Sequence, residues 1–383
     1  MGAVLHAGVL AHDSGVENGL FRSRDGGATW LQVNPESFAR GALALAVHPR
    51  DPHHLLLATD SGLLGSRNGG RDWEPEASNV LAGPAFAVAF DASGDEALAS
   101  GTNALYRLEG TRWRETRTPA GAAPARVLVP GGVAGRVYLA GWTGLFRSDN
   151  AGRSWTRAGD EIGTAAVSAL AVSANRPDEI HALTAGRVWI SSDGARRWRA
   201  DVGAPQKADA LAFDRAMPTR LWLVAAGRAY RKDARNDDGA AQWEPVGTPI
   251  PDAQAIVRSL HADRDAVLIA TDRGVFRSAD AGVSWALLSA ELPNHADAAL
   301  LVRDLHAPAT VYAAFSRLGL EQIQSIASGP APAVAQRDIV LLVGAYAAFA
   351  LLLLAAGVIV RRLTRTRGAP AADRVIEMRT ESP

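Results

Sequence analysis

The chain has 383 residues, with 40 Lys and Arg against 40 Asp and Glu, no cysteine, and 48% hydrophobic residues. Such a length can form one closed all-β domain without a second core, and the composition is globular rather than disordered. A formal net charge of +0 offers no basic surplus to a nucleic-acid backbone, and the lack of cysteine excludes disulfides and thiolate metal sites while leaving the compartment open.

The first unit begins with Val4 to Gly8, which reads as a second strand without a first, and a long loop carrying Asp13 and Glu17. It ends in SRDGGATW, Ser23 to Trp30. In the second unit an alternating run, ALALAVH, a polar turn and a second run, LLLATD, ending in Asp60, lead to SRNGGRDW, Ser66 to Trp73. The third ends in LEGTRW at Trp113, which keeps Gly110 but lacks the Ser and Asp, so a looser outer hairpin is expected. The fourth carries Trp142 in Gly-Trp-Thr-Gly, then SDNAGRSW ending at Trp155, then the adjacent Asp160 and Glu161. The fifth ends in SSDGARRW at Trp198. The sixth replaces the motif by the longer KDARNDDGAAQ before Trp243, again predicting a looser hairpin, and the seventh places Asp272 and Arg273 ahead of SADAGVSW, ending at Trp285.

The seven tryptophans closing these units are separated by 43, 40, 42, 43, 45 and 42 residues, the period of a propeller blade. The side chain at the third motif position, Asp25, Asn68, Asn150, Asp193 or Asp280, can accept hydrogen bonds from turn N–H groups. The glycine at the fifth position tolerates positive φ, and the closing indole offers an apolar plate to the next sheet while its N–H seeks one acceptor. Upstream strand signals give four strands per unit. Ala299 to His306 and Thr310 to Phe315 look like the start of a further unit, so a C-terminal strand is expected to complete the first blade and close seven blades, eight being the alternative. The organisation expected is a propeller over 1–327, a Pro/Ala linker over 328–338, a membrane helix over 339–360 and a basic tail over 361–383.

Residues 339–360, IVLLVGAYAAFALLLLAAGVIV, carry no charge and as a helix would extend roughly 33 Å, enough for a bilayer core of about 30 Å. Arg361, Arg362, Arg365 and Arg367 follow it, so the positive-inside rule puts the C-terminus in the cytoplasm and the propeller outside. Met1 to His12 lacks the marks of a signal peptide, which conflicts with that orientation. Either the true start lies upstream or the chain is tail-anchored with a cytoplasmic propeller.

The five octapeptides resemble the Asp-box, or BNR, repeat of sialidase-like propellers, Ser-x-Asp-x-Gly-x-Thr-Trp. The resemblance implies an all-β propeller with the motif on turns remote from the ligand face, and it raises glycoside hydrolysis as one activity. The Arg-Ile-Pro signature of sialidases is absent. The five tyrosines also fall at strand positions or in the apolar helix, leaving no nucleophile. Xyloglucanases sharing the repeat use two propellers facing a cleft, and this chain carries one. A two-carboxylate glycosidase would draw on Asp13, Glu17, Asp60, Asp160, Glu161 or Asp272, each also readable as a solvated loop acid. Histidines show no ligand spacing, so no metal and no cofactor is expected. The expected role is therefore recognition of a protein or glycan by a membrane-anchored, non-catalytic disc, as the resemblance to photosystem II assembly factors and sortilin-type receptors also implies. Loops between second and third strands and between blades should form the binding face, with Trp142 the foremost contact and Asp60, Asp272 and Arg273 on matching loops.

If the closing tryptophans pack between sheets, Trp155→Ala should lower stability by about 3–5 kcal/mol in urea unfolding. An unchanged midpoint would remove the packing role.

Overall fold

The computed structural model describes residues 19–33, 41–214, 220–233, 242–288, 291–293 and 297–316, with Gln322 and Ser325. Contacts divide the chain into two units, Met1–Ser328 and Gly329–Pro383, and the described residues all lie in the first. The run Val4 to Gly8, Asp13, Glu17, the linker, the apolar segment 339–360 and the basic tail lie outside them. Among the described residues no helix is long and apolar enough to cross a membrane.

Seven four-stranded antiparallel sheets succeed one another. In blade 2 the strands Ala42–Val47, Leu55–Thr59, Gly62–Ser66 and Glu74–Glu76 lie side by side in chain order. First strands of successive blades touch, from Ala42–Val47 through Ala87–Phe90, Val127–Pro130, Val167–Val172, Ala208–Phe213 and Val257–Asp263 to Asp297–Arg303, which meets Ala42–Val47 again. The ring is closed, with first strands innermost. Second strands such as Leu55–Thr59, Val137–Gly141 and Ile180–Thr184 are buried at every position, because a sheet on either side covers both their faces. Fourth strands are short and largely exposed, as at Leu31–Gln32 and Thr156–Arg157.

Blade 1 is composite. Gly19–Ser23 and Leu31–Gln32 supply its outer half, and Val311–Ser316 and Asp297–Arg303 its inner half, with Gly19 opposite Phe315 and Ser23 opposite Val311. Two C-terminal strands therefore complete the blade, where the strand pattern suggested one. The register joins the two ends of the disc through five ladder positions and leaves no interior sheet edge unpaired.

Seven hydrophobic clusters fill the seven seams, and each holds one of the periodic tryptophans. Trp73 of blade 2 packs with Leu20 and Val33 of blade 1, Trp198 of blade 5 with Tyr138 and Ala140 of blade 4, and Trp30 of blade 1 with Leu268 and Ala270 of blade 7. Every ring thus faces the preceding blade.

The turn before each ring is stitched by side chains. Ser23 Oγ accepts from Gly27 N (2.8 Å), and Asp25 Oδ1 accepts from Ala28 N and Thr29 N (3.0 and 2.9 Å). All three bonds recur from Ser66 and Asn68 and from Ser191 and Asp193. At Ser148 and Asn150 and at Ser278 and Asp280 the serine bond and the bond four residues on recur, while Arg153 N and Val283 N donate to the backbone oxygens of Asn150 and Asp280. Bonds from Thr29 and Ser23 outweigh the slight burial at Asp25 and hold its carboxyl at about 2, well below the usual range. Two successive residues adopt positive φ rather than one, as at Gly26 (67°) and Gly27 (85°). Ala195 fills the fifth position of the blade 5 turn at φ 69°, so a residue with a Cβ adopts there the conformation that glycine takes in other copies.

Two expectations are corrected. Not every indole finds an acceptor: Trp30 donates to Gly27 O and Trp73 to Gly70 O and Val33 O, but Trp155, Trp198 and Trp285 make no such bond among the described residues. The blade 3 hairpin is also not loose. Leu105–Glu109 and Arg112–Thr116 pair over five positions across a two-residue turn at Gly110 and Thr111. Trp113 donates to Glu76 Oε2 (2.9 Å), and in blade 6 Trp243 donates to Asp201 Oδ2 (2.9 Å). Glu76 and Asp201 each stand three residues after the preceding blade's tryptophan, so a carboxylate reaching across the seam holds the ring where the octapeptide is missing. Most of the blade 6 insert, 234–241, lies outside the described residues.

Asp201 also binds Lys232 Nζ at 2.6 Å, with side-chain exposures of 10% and 12%. Asp201→Ala should therefore cost about 3–5 kcal/mol, since it strands the buried ammonium and the indole N–H together. A loss below 1 kcal/mol in chemical denaturation would show that the pair holds nothing.

Candidate functional site

In each antiparallel blade the turns between strands one and two and between strands three and four share one end, while second-to-third loops and blade connections share the other. At the first end polar groups are spent on neighbouring blades. Arg22 Nη1 donates to Gly69 O (2.8 Å), Arg277 Nε to Gly26 O (3.1 Å), and Arg147 to Gly194 O. Asp91 Oδ2 accepts from Gly135 N (3.1 Å) and Asp214 Oδ1 from Arg264 N (3.0 Å). That end is a fastening.

The opposite end carries every described residue singled out for binding, distributed over three corners of the rim. At blade 4, Trp142 sits in the two-residue loop between Val137–Gly141 and Gly144–Ser148. The Arg126 guanidinium lies over its ring at 4.5 Å, and its Nε1 is buried without a hydrogen-bond partner. Arg157 Nη1 donates to Thr143 O (2.7 Å) and reaches Gly163 O (3.4 Å), joining the Trp142 loop to the connection that exposes Asp160 and Glu161. At this corner one guanidinium group covers the indole and a second ties its loop to the connection that carries the exposed Asp160 and Glu161.

At blade 7, Asp272 Oδ1 accepts from Ile256 N (2.7 Å) while Asp272 N donates to Ile256 O (3.1 Å). Arg273 pairs with Asp252 at 3.2 Å and lies 3.5 Å from Gln254 Oε1. Both therefore brace the incoming connection. At blade 2, Asp60 N donates to Gly41 O (3.1 Å), and a Cβ on Gly41 would stand 2.1 Å from the Asp60 carboxylate. Asp60 remains exposed, but partial desolvation, opposed by a bond from Ser61, pushes the carboxyl pKa up. Asp13 and Glu17 lie outside the described residues.

The mouth of the ring was missed from the sequence. Five first strands begin with a register shift on this face, between Ala42 and Ala44, Val167 and Ala169, Ala208 and Ala210, Val257 and Ser259, and Ala298 and Leu300. Such bulges re-aim the extra side chain, here Leu43, Ser168, Asp209 and Arg258 in four of them. Partial desolvation raises the pKa of Asp209 against a bond from the Ala226 backbone, although its side chain is still exposed at the surface. Arg126 holds the equivalent position in blade 4, its N bonded to Ala140 O (2.9 Å). Aligning the starts of the first strands would have found this set, since each precedes an apolar run by a constant offset.

Among the described residues no group of His, Cys, Asp and Glu could hold a metal ion. The carboxyls with raised pKa, Asp60 and Asp209, stand on blades 2 and 6 rather than beside each other.

No protein-family profile and no curated protein matches the chain. Solved structures do. YCF48 from Cyanidioschyzon merolae superposes with a TM-score of 0.58 at 17% identity, over 75% of this chain and 98% of that one. YCF48 bound to D1 peptide matches with a TM-score of 0.53 at 17% identity, over 72% and 91%. The GH74 xyloglucanase from Xanthomonas campestris matches with a TM-score of 0.54 at 19% identity over 72% of this chain, which spans only 53% of the enzyme. At such identities the likeness establishes a shared propeller fold and nothing finer.

Proposed function

We propose that this protein is a non-catalytic recognition disc of the Asp-box class, which binds a segment of another protein on the face away from the stitched turns. The observation that carries the reading is the blade 4 corner. There an indole on a two-residue loop is held under Arg126, with Arg157 bonded to the same loop at Thr143 O, and its own N–H has no acceptor. A rigid aromatic with flanking guanidinium groups suits a polypeptide, offering apolar contact area and donors for carbonyls or carboxylates. One fold neighbour, YCF48, has been solved bound to D1 peptide, which is consistent with a protein ligand here. The five Ser-x-Asp/Asn turns support placement in the Asp-box class, and a glycan is the second ligand class such a face could take.

We further propose that residues 339–360 anchor the disc in a membrane, with the propeller outside and the Arg-rich tail in the cytoplasm, the tail-anchored arrangement being the alternative. A protease-protection assay on intact cells or vesicles should leave the C-terminal tail sheltered. Digestion of the tail with survival of the propeller would reverse the orientation.

Glycoside hydrolysis is the competing function, favoured by the raised pKa of Asp60 and Asp209 on the same face and by the xyloglucanase fold match. The two readings separate by experiment. A peptide array drawn from membrane-protein tails and loops should yield ligands whose affinity drops at least about tenfold in Trp142→Ala, at unchanged melting temperature. Equal binding by Trp142→Ala would overturn the site. Release of reducing sugar that disappears in Asp60→Asn would overturn the non-catalytic reading.

A further inference from the structure

Three histidines tie blades 1, 2 and 3 together at the stitched end of the disc. His48 follows the first strand of blade 2, and its N donates to His54 O (3.0 Å), closing the turn that leads to Leu55–Thr59. The two imidazoles stack at 5.2 Å, and Phe90 of blade 3 meets both edge-on, at 4.9 Å from His48 and 4.8 Å from His54. His48 Nε2 contacts Gly94 O of blade 3 at 2.9 Å, and His306 of blade 1 reaches His48 O through its own Nε2 at 2.9 Å. His54 is 6% exposed. Arg67 Nη1 lies 2.9 Å from His54 Nδ1, while His54 Nε2 is buried without a partner.

We infer that the stacked His48–His54 pair is an acid-sensitive latch, closed while His54 is neutral and released when His54 takes up a proton, so that blades 2 and 3 part at their seam. The geometry requires a neutral ring. A guanidinium can only donate, so Nδ1 must present a lone pair to Arg67, and a second proton on His54 would put two cationic donors face to face. The charged groups around the pair do not offset this. Arg67 is held by Glu76 at 3.5 Å, Arg50 is paired with Asp95, and Asp51, the acid that favours the charged ring, accepts from the His53 backbone at 2.9 Å.

Burial first, then Arg67 and His48, lower the His54 pKa from 6.5 to about 4. An opened seam would titrate near 6.5, so the closed state keeps its full advantage above that pH and loses it as pH falls toward 4. For one such group the opening constant should rise about 30-fold between pH 8 and pH 5. The consequence reaches the ligand face. Ala85 N of blade 3 donates to Thr59 O (2.9 Å) at the far end of the same seam, next to Asp60.

Hydrogen exchange followed by mass spectrometry on the full chain tests this, with protection factors corrected for intrinsic rates. Protection of peptides spanning 45–58 and 86–99 should fall about 30-fold from pH 8 to pH 5. His54→Asn keeps an acceptor for Arg67 but cannot titrate in this range, and should abolish that fall. Peptides around His261, a buried neutral histidine beside Arg303 in the seam between blades 7 and 1, should respond alike in both proteins. Exchange at the His54 ring carbon in the unsubstituted chain gives its titration directly, whether or not the variant folds. Constant protection of the blade 2 and 3 peptides across this range, an unshifted His54, or an undiminished response in His54→Asn would each overturn the latch.

Discussion

Everything in this ring depends on an indole standing against the sheet before it. A propeller blade has two apolar faces, and a four-stranded sheet cannot cover either by itself, so stability is a property of seams. Each seam needs a large, rigid, flat side chain delivered from a fixed point at the blade's outer edge. Tryptophan after a locked turn provides this. The lock is the exchange among Ser Oγ, the Asp or Asn side chain and the turn N–H groups, which holds two consecutive residues at positive φ. At the fifth position the missing side chain also matters for packing: a Cβ on Gly152 would lie 2.6 Å from Leu98 Cδ2, and one on Gly27 2.7 Å from Leu268 Cδ2. The turn is thus shaped for the neighbouring blade as well as for its own.

Blades 3 and 6 show which part of this device is required. Neither carries the octapeptide, yet Trp113 and Trp243 occupy the same seam position as the other five. Their N–H groups are held by Glu76 and Asp201 from the preceding blade. The ring therefore tolerates loss of the turn motif while some group still fixes the indole. In both blades that group is an acid already in position at the neighbouring edge, three residues after the previous tryptophan.

The period, the seven blades, the four strands per blade and the seam role of the tryptophans were legible in the sequence, because each depends on local pattern repeated at one spacing. The acceptors Glu76 and Asp201, the Arg22, Arg147 and Arg277 bonds to the next blade's turn, and the stacking of Arg126 on Trp142 were not. In most of these the partner lies about one blade away in sequence, an offset that acquires meaning only once the sheets stand side by side. The closure was half legible. Two C-terminal strand patterns were visible, but their number in the composite blade follows from how the outer pair Gly19–Ser23 and Leu31–Gln32 is completed, which pattern does not decide. On the rim, Trp142 stands on a two-residue loop under Arg126, whereas Asp272 and Arg273, equally conspicuous as charges in the sequence, brace a connection.

The two ends of the disc answer different demands. At the stitched end turns of successive blades are bonded to one another, through the arginine bonds, the Asp91 and Asp214 contacts and the histidines, so a change at one of these is felt across a seam. At the other end side chains in the short loops also bond back on their own blade, as Thr59 Oγ1 does on Gly62 O and Thr271 Oγ1 on Gly274 O, each at 2.8 Å, beside the backbone bonds that tie the loops to the connections. A loop that satisfies its own backbone can change its remaining side chains without loosening the ring. That independence is why Trp142 with Arg126, Asp60 with Ser61 and Asp209 at the mouth can differ from blade to blade on a scaffold that otherwise repeats.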